Sequence, residues 1–228
     1  MNLSELLTRP ERPCPELEAC LRQDPALGWI IKHPLVVDIM VDPERCARQN
    51  AMLASKRERI EAALAAGDWA TVLGMYERPF RFQALCKLTR DCVEAAEFAK
   101  AVAWTWCDSE NLHENVKGWQ RLWRSRGLVR DAVMQPDELA AYKALPATIV
   151  AWRGYQQPKG CAGLSWTLSE DVALWFARRW REAGAAGFLA SAHVPVSEVT
   201  ALFLRRGEQE VVIPKMPVGD VRLSLRRV

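Results

Sequence analysis

Three short segments in the last third of the chain set reactive side chains beside glycines and β-branched residues. They are Trp152-Arg153-Gly154, Gly163-Leu164-Ser165-Trp166-Thr167 and Gly207-Glu208-Gln209-Glu210-Val211-Val212-Ile213. If the last is a strand, alternation puts Glu208, Glu210 and Val212 on one face, with the two carboxylates about 6.6 Å apart along the chain. Facing a cleft, such a pair would repel and be partly desolvated, which raises at least one pKa. That suits general-base work or the stabilisation of a developing cation. A solvated strand edge is the competing reading. Arg153 ends an apolar strand, where its guanidinium can fork onto a phosphate while Gly154 lets a ligand approach the backbone; a turn glycine after an edge arginine is the alternative. Ser165 and Thr167 fall on alternate strand positions and so share a face. Thr167 has a second reading as the N-cap of the next helix. Ser165 is too early to cap it and is the candidate for an inward hydrogen bond.

The elements that must carry these residues follow from periodicity. After Pro146 the pattern is that of short strands: Thr148–Trp152, Gly187–Val196, Val199–Leu204, Glu210–Ile213 and Val221–Leu225. One helix interrupts them, opened by the capping box Thr167-Leu-Ser-Glu170 and carrying an apolar face of Val172, Ala173, Phe176, Ala177 and Trp180. The preceding part reads as helical. Pro43–Ala66 has Asp42 as its N-cap and Gly67 as its stop. Cys92, Ala95, Ala96, Ala99, Val102, Ala103 and Trp106 form one stripe. Leu112, Val116, Trp119, Leu122 and Trp123 continue the pattern to Gly127, and a short helix covers Pro136–Leu145. The expected class is α+β: a helical region over residues 1–140, then a small mixed or antiparallel β-core over 141–228.

Composition narrows the function. The 228 residues are 50% hydrophobic and 26% charged, an ordinary globular balance. The absence of any apolar run near 20 residues argues against a membrane-spanning helix, and the first eleven residues do not read as a secretory signal. Seven cysteines without a Cys-x-x-Cys pair, and three scattered histidines (His33, His113, His193), give no zinc pattern and fit reduced thiols in a cytoplasmic protein, most of them small core hydrophobes. No metal is expected. His193 is a lone strand histidine with no nucleophile context around it. No dinucleotide fingerprint or phosphate-loop motif occurs. Residues 141–228 hold 12 Lys/Arg against 7 Asp/Glu, and the first 140 hold 19 against 21. The basic second part suits an anionic ligand, but the excess is too small to indicate a nucleic-acid groove. Ten of the nineteen aromatic residues are Trp. Trp106, Trp119 and Trp123 read as helix core, and Trp152 and Trp166 read as braces behind Arg153 and Ser165.

In order and spacing, "VAWRGY", "GLSWTLSEDVALWFA" and "RRGEQEVVI" resemble the R-S-E class of ADP-ribosyltransferases, the cholera-toxin-like mono-ADP-ribosyltransferases of bacteria and phages. The resemblance covers roughly Ala147–Pro214; the first ~100 residues show no family match, and Thr167 stands where many members have Ser. It implies an ADP-ribosyltransferase-type core that uses NAD as co-substrate. Arg153 would hold the phosphate and ribose region, and the backbone of Gly154 the nicotinamide amide. Ser165 would orient the catalytic glutamate and Thr167 would support its strand. Glu210 would hold the nicotinamide ribose and stabilise the oxocarbenium-like transition state, and Glu208 would activate the acceptor. Glu at the first position of Glu-x-Glu goes with arginine acceptors, so a protein acceptor is favoured and nucleic acid stays open. By position, Arg178–Gly187 resembles the family's loop beside the NAD phosphates and Phe203–Gly207 its acceptor-recognition loop. The solvated end of a helix and core packing of Phe203 are the respective alternatives. The implied setting is a toxin, effector or phage–host conflict protein acting in the cytoplasm, its own or that of a host, with room for an inhibitor or antitoxin partner. An NAD glycohydrolase or a non-catalytic nucleotide-binding module would use the same residues.

Overall fold

The computed structural model describes residues 3–88, 93–109, 111–156, 160, 162–179, 186–215 and 224–227. The chain divides into two compact units, residues 1–93 with 108–110, and residues 94–107 with 111–228. The division expected at 140/141 followed the change of periodicity; the compact units divide near residue 93, and the later helices belong with the large sheet.

The first unit contains α1 (Leu3–Thr8), α2 (Pro15–Glu18), β1 (Leu21–Asp24), β2 (Gly28–His33), β3 (Val36–Asp38), α3 (Ala47–Ala66), α4 (Trp69–Met75) and α5 (Arg81–Lys87). The three strands form an antiparallel meander in the order β1-β2-β3, which corrects the expectation of a wholly helical amino-terminal half. Strands of three to six residues are too short to show a period. What makes them is local: the Asp24 carboxylate accepts the N–H groups of Ala26 and Leu27, and Gly28 supplies the left-handed φ of 70° that starts β2. Leu17, Ile31, Leu35, Val36, Val41, Cys46 and Leu53 form the core of this unit. Helix α3 starts four residues later than expected. Asp42 caps a turn instead, accepting from Glu44 N–H at 3.0 Å, and Cys46 stands at the helix N-terminus. The expected stop is present: Gly67 is left-handed, with Gly67 N–H on Leu64 O and Asp68 N–H on Ala63 O.

The second unit contains α6 (Ala95–Asp108), α7 (Val116–Trp123), α8 (Arg130–Val133), α9 (Pro136–Lys143), β4 (Thr148–Tyr155), β5 (Ser165–Thr167), α10 (Glu170–Arg178), β6 (Phe188–Pro195), β7 (Ala201–Phe203), β8 (Glu210–Val212) and β9 (Ser224–Arg227). Its sheet is antiparallel throughout, ordered β7-β8-β5-β4-β6-β9, so the molecule is α+β. The buried face of α6 includes Phe98, Ala99, Val102, Thr105 and Trp106; Ala95 is exposed and Cys92 lies outside the described residues. Helix α7 ends at Trp123, not Gly127, because Ser125 N–H and Leu128 N–H close tight turns on Leu122 and Ser125 and bring Leu128 inside. Trp106 meets Trp119 and Trp123 edge to face at 5.0 and 5.3 Å between ring centres, and Trp123 packs on Phe203. Among the described cysteines only Cys46 is buried and Cys86 is exposed, so the core-hydrophobe reading holds for fewer thiols than expected. Among the described residues no helix is long and apolar enough to cross a membrane. The expected strand at Val221–Leu225 appears as Ser224–Arg227; residues 221–223 and Trp180 lie outside the described residues.

Candidate active site

Sheet order, not sequence proximity, assembles the candidate residues. Arg153 lies on β4, Ser165 and Thr167 on β5, and Glu210 on β8; β8, β5 and β4 are consecutive neighbours. Thr167 pairs directly with Glu210, and Ser165 pairs with Val212, the next position on that face. The Ser165 hydroxyl therefore lies diagonally across from Glu210 and hydrogen-bonds its carboxylate. Trp106, projecting from α6, donates its indole N–H to Glu210 Oε1 at 3.0 Å.

Glu210 is buried, with 7% of its surface exposed. Burial raises its pKa above the ordinary carboxylate value and the nearby charge of Glu208 adds to this, while the bonds from Ser165 and Trp106 oppose it. The result is a desolvated carboxylate held by a hydroxyl and an indole. In a dry surrounding it acts on a nearby positive charge far more strongly than it would in water. Helical spacing predicts Trp106 as core. It is core, at 1% exposure, but it also orients the central carboxylate, and helical spacing carries no signal for that bond.

Arg153 donates through Nε to Gly160 O at 2.7 Å and through Nη1 to Ser165 O. Ser165 thus links the two charged residues, its carbonyl to Arg153 and its hydroxyl to Glu210. A Cβ on Gly163 would lie 2.1 Å from Nη2 of Arg153, so the guanidinium lies across a position that only glycine leaves open. Gly154 has a packing reason of its own: a Cβ there would lie 1.8 Å from Ala173 O, where α10 crosses β4.

Two expectations about this region are corrected. Thr167 is not the helix N-cap. Ser169 is, accepting from Val172 N–H at 3.3 Å, while the Thr167 hydroxyl donates to Glu208 O at 2.6 Å and accepts from Ser169 N–H. Nor do Glu208 and Glu210 stand side by side on a strand. Arg206, Gly207 and Gln209 all have left-handed φ (63°, 68° and 45°), so the chain turns until β8 begins at Glu210. Glu208 sits in that turn with its carboxylate 3.2 Å from Arg206. The turn is pinned from outside by the Thr167 bond and by Leu168 N–H on Gln209 O.

Behind the turn lies an ion pair that residue patterns did not indicate. Glu138 of α9, 1% exposed, takes Arg205 through both carboxylate oxygens at 3.0 and 3.1 Å and also accepts the N–H groups of Leu204 and Gln135. Phe203 is buried, which favours its core reading. Arg179 stacks over Trp175 at 4.7 Å, while residues 180–185 of the expected phosphate-side loop lie outside the described residues. Trp166 is buried on the far side of β5, opposite Val211. Trp152, however, pairs with Thr167 and so shares the face of Thr167 and Glu210, which corrects its reading as a brace from behind; alternation along β4 turns Arg153 to the opposite face from Glu210, and Arg153 meets Ser165 through its backbone carbonyl, not through the face that carries the carboxylate. The Cys107 thiol is pushed up to about 12, by burial first and then by the charge of Glu210, so it remains protonated at neutral pH and is no thiolate nucleophile. Among the described residues no group of three or more His, Cys, Asp or Glu is placed to hold a metal ion. Compared with family models, curated proteins and solved structures, the chain matches none of them.

Proposed function

We propose that the chain is an NAD-dependent mono-ADP-ribosyltransferase that passes ADP-ribose to a macromolecular acceptor, with protein arginine favoured. The observation that carries this reading is the buried Glu210 carboxylate, held by Ser165 from the neighbouring strand, while Ser165 is held in turn by Arg153 from the strand after it. In the reaction the bond between the nicotinamide nitrogen and C1 of its ribose breaks. Nicotinamide leaves with the electron pair, and positive charge develops on the ribose. Glu210, already desolvated and oriented, stabilises that charge more than it stabilises the ground state, which lowers the barrier. The acceptor then bonds to C1, and its proton passes to Glu208. Arg153 supplies fixed positive charge for the phosphate and ribose region, and the resemblance gives the backbone of Gly154 the nicotinamide amide. NAD is a substrate in this scheme and no step calls for a metal.

The test is incubation of the protein with labelled NAD and a cell lysate. Wild type transfers label to macromolecules. Glu210→Gln keeps the size of the side chain and can still accept from Trp106 and Ser165, but lacks the charge and transfers none. Release of free ADP-ribose without labelled macromolecule assigns the same site to NAD hydrolysis, and absence of any NAD consumption ends the enzyme reading.

A further inference from the structure

Away from Glu210, Ser165 and Arg153, the second unit has a concavity of about 310 Å³ lined by Arg124, Arg130, Lys215, Ser197, Thr200 and Glu198. Arg124 directly follows α7 and Arg130 opens α8, Ser197 and Thr200 lie between β6 and β7, and Lys215 just after β8. The position is fixed to the sheet: Thr200 N–H donates to Val212 O at 2.9 Å. Lys215 is five residues past Glu210, so at most about 17 Å of extended chain separates them.

Two more exposed arginines, Arg121 and Arg126, lie on the same stretch as Arg124 and Arg130. Among the described residues none of these five cations forms an ion pair, and the nearest acidic residue in sequence, Asp131, lies 3.6 Å from Lys143 instead. Composition by halves could not show this cluster, because it joins arginines from before residue 140 to a lysine from after it.

We propose that this basic concavity binds the phosphodiester backbone of a nucleic acid. Converging cations repel one another, and an anion in the concavity relieves that repulsion. The guanidinium forks of Arg124 and Arg130 match phosphate oxygens, and the Ser197 and Thr200 hydroxyls add donors. A single phosphate uses only part of the cluster. A repeating phosphodiester chain can also meet cations beyond the concavity, and Arg121 and Arg126 are exposed within five residues of its arginines in sequence. Glu198 is the one carboxylate on the lining and can accept hydrogen bonds from sugar hydroxyls or base amino groups, donors that the side chains of an acidic peptide do not offer. This proposal is independent of the transferase reading and is tested without turnover.

The experiment is fluorescence anisotropy of labelled single-stranded and duplex oligonucleotides on the Glu210→Gln protein, repeated over a range of salt. Binding that weakens steeply with salt is expected. The combined change Arg124→Gln, Arg130→Gln and Lys215→Gln should weaken it about tenfold or more, and should flatten the log–log salt slope by about 2 for a single strand or about 3 for a duplex. An unchanged thermal midpoint shows that the fold is kept; should the triple variant unfold, each single change is expected to flatten the slope by about 0.7 to 0.9. Oligonucleotide binding that the substitutions leave unchanged overturns the proposal. So does equal competition by polyglutamate of matched charge, or binding of free NAD or ADP-ribose with none of the oligonucleotides.

Discussion

The indole N–H of Trp106 donates to Oε1 of Glu210 at 3.0 Å, although the two residues are 104 positions apart. Their bond joins α6 to β8 at the carboxylate on which the proposed chemistry turns. A hydrogen bond to a charged acceptor contributes about 1.5–3 kcal/mol, which corresponds to about 10- to 100-fold in rate if it acts at the transition state. Trp106→Phe retains most of the ring that Trp119 and Trp123 pack against. The expected result is a loss of that size in kcat/KM for NAD, with modest loss of stability. Wild-type turnover by a folded Trp106→Phe protein would show that the bond has no part in catalysis.

The raised pKa of Glu210 gives a pH dependence with a definite sign. Burial, the largest cause, favours the protonated form. The native state therefore holds this proton more tightly than the unfolded chain does. Between the ordinary carboxylate pKa and the raised one, stability contributed by this group falls as pH increases. Activity runs the other way, because the ionised carboxylate is the form that stabilises a cation. The acid limb of the kcat/KM profile should thus lie above the usual carboxylate range. Trp106→Phe and Ser165→Ala, each removing a donor to the charged form, should move it to higher pH. Glu210→Gln should remove this group's share of the stability–pH slope, measured by thermal unfolding across the same range. A limb in the ordinary Glu range, unmoved in both donor variants, would count against Glu210 as the titrating group.

Legibility differed between the strands and the contacts. Val150, Val211 and Val212 lie in β-branched runs, so the strands that carry or adjoin Arg153 and Glu210 were readable from residue type, whereas β5, three residues long, is not among the strands that period gives. That β5 lies between β4 and β8 was not readable, because strand order is set by packing that no local pattern encodes. The turn before Glu210 departs from the expected strand for a physical reason: two non-glycine residues, Arg206 and Gln209, adopt left-handed φ, which residue type rarely announces. Bonds from distant helices, Trp106 to Glu210 and Glu138 to Arg205, leave no periodic trace either. The meander β1–β3 leaves no periodic signal, because its strands are only three to six residues long.

Two glycines near the site should respond differently. A Cβ on Gly154 meets backbone atoms of α10, at 1.8 Å from Ala173 O and 2.5 Å from Ala177 N, and neither can yield without moving the helix. Gly154→Ala is expected to cost about 1–3 kcal/mol or more in chemical denaturation. A Cβ on Gly163 meets only the far end of Arg153, which can swing away. Gly163→Ala should cost less than Gly154→Ala, no more than the bonds of Arg153 to Gly160 O and Ser165 O that it gives up, while loosening Ser165 and lowering NAD turnover. Equal stability losses in the two variants would contradict the difference between a fixed helix and a movable guanidinium.

Glu138 and Arg205 form the support on which the turn into β8 rests. Glu138 holds two guanidinium nitrogens and two backbone N–H groups while 1% exposed. Removing Glu138 leaves the N–H groups of Leu204 and Gln135 without their acceptor, while Arg205, 29% exposed, can turn to water, so the loss is about 1–3 kcal/mol. Glu138→Ala should destabilise the chain by that order. Glu138→Gln keeps an oxygen for Leu204 or Arg205 and should cost less. Because the turn holds Glu208 and leads into Glu210, Glu138→Gln should also lower kcat more than it raises KM for NAD, at temperatures where the protein is still folded. A normal kcat in folded Glu138→Gln protein would separate the ion pair from the site and leave it a purely structural role.

Glu208 decides between transfer and hydrolysis. It lies in the turn, with its backbone carbonyl taken by Thr167 and its carboxylate beside Arg206, so its charge can be removed without breaking a bond that holds Glu210 in place, and the only electrostatic effect on Glu210 is loss of a neighbouring charge that raises its pKa. If it takes the acceptor's proton, Glu208→Gln should reduce labelled macromolecule by about 100-fold, within the usual range for a general base. Cleavage of NAD to nicotinamide and free ADP-ribose should persist, because Glu210 still stabilises the cation and water replaces the acceptor. Both products are read from one reaction by chromatography of the small molecules and counting of the precipitated polymer. Parallel loss of transfer and cleavage would place Glu208 in NAD binding or bond breaking. Undiminished transfer would assign the proton to another group.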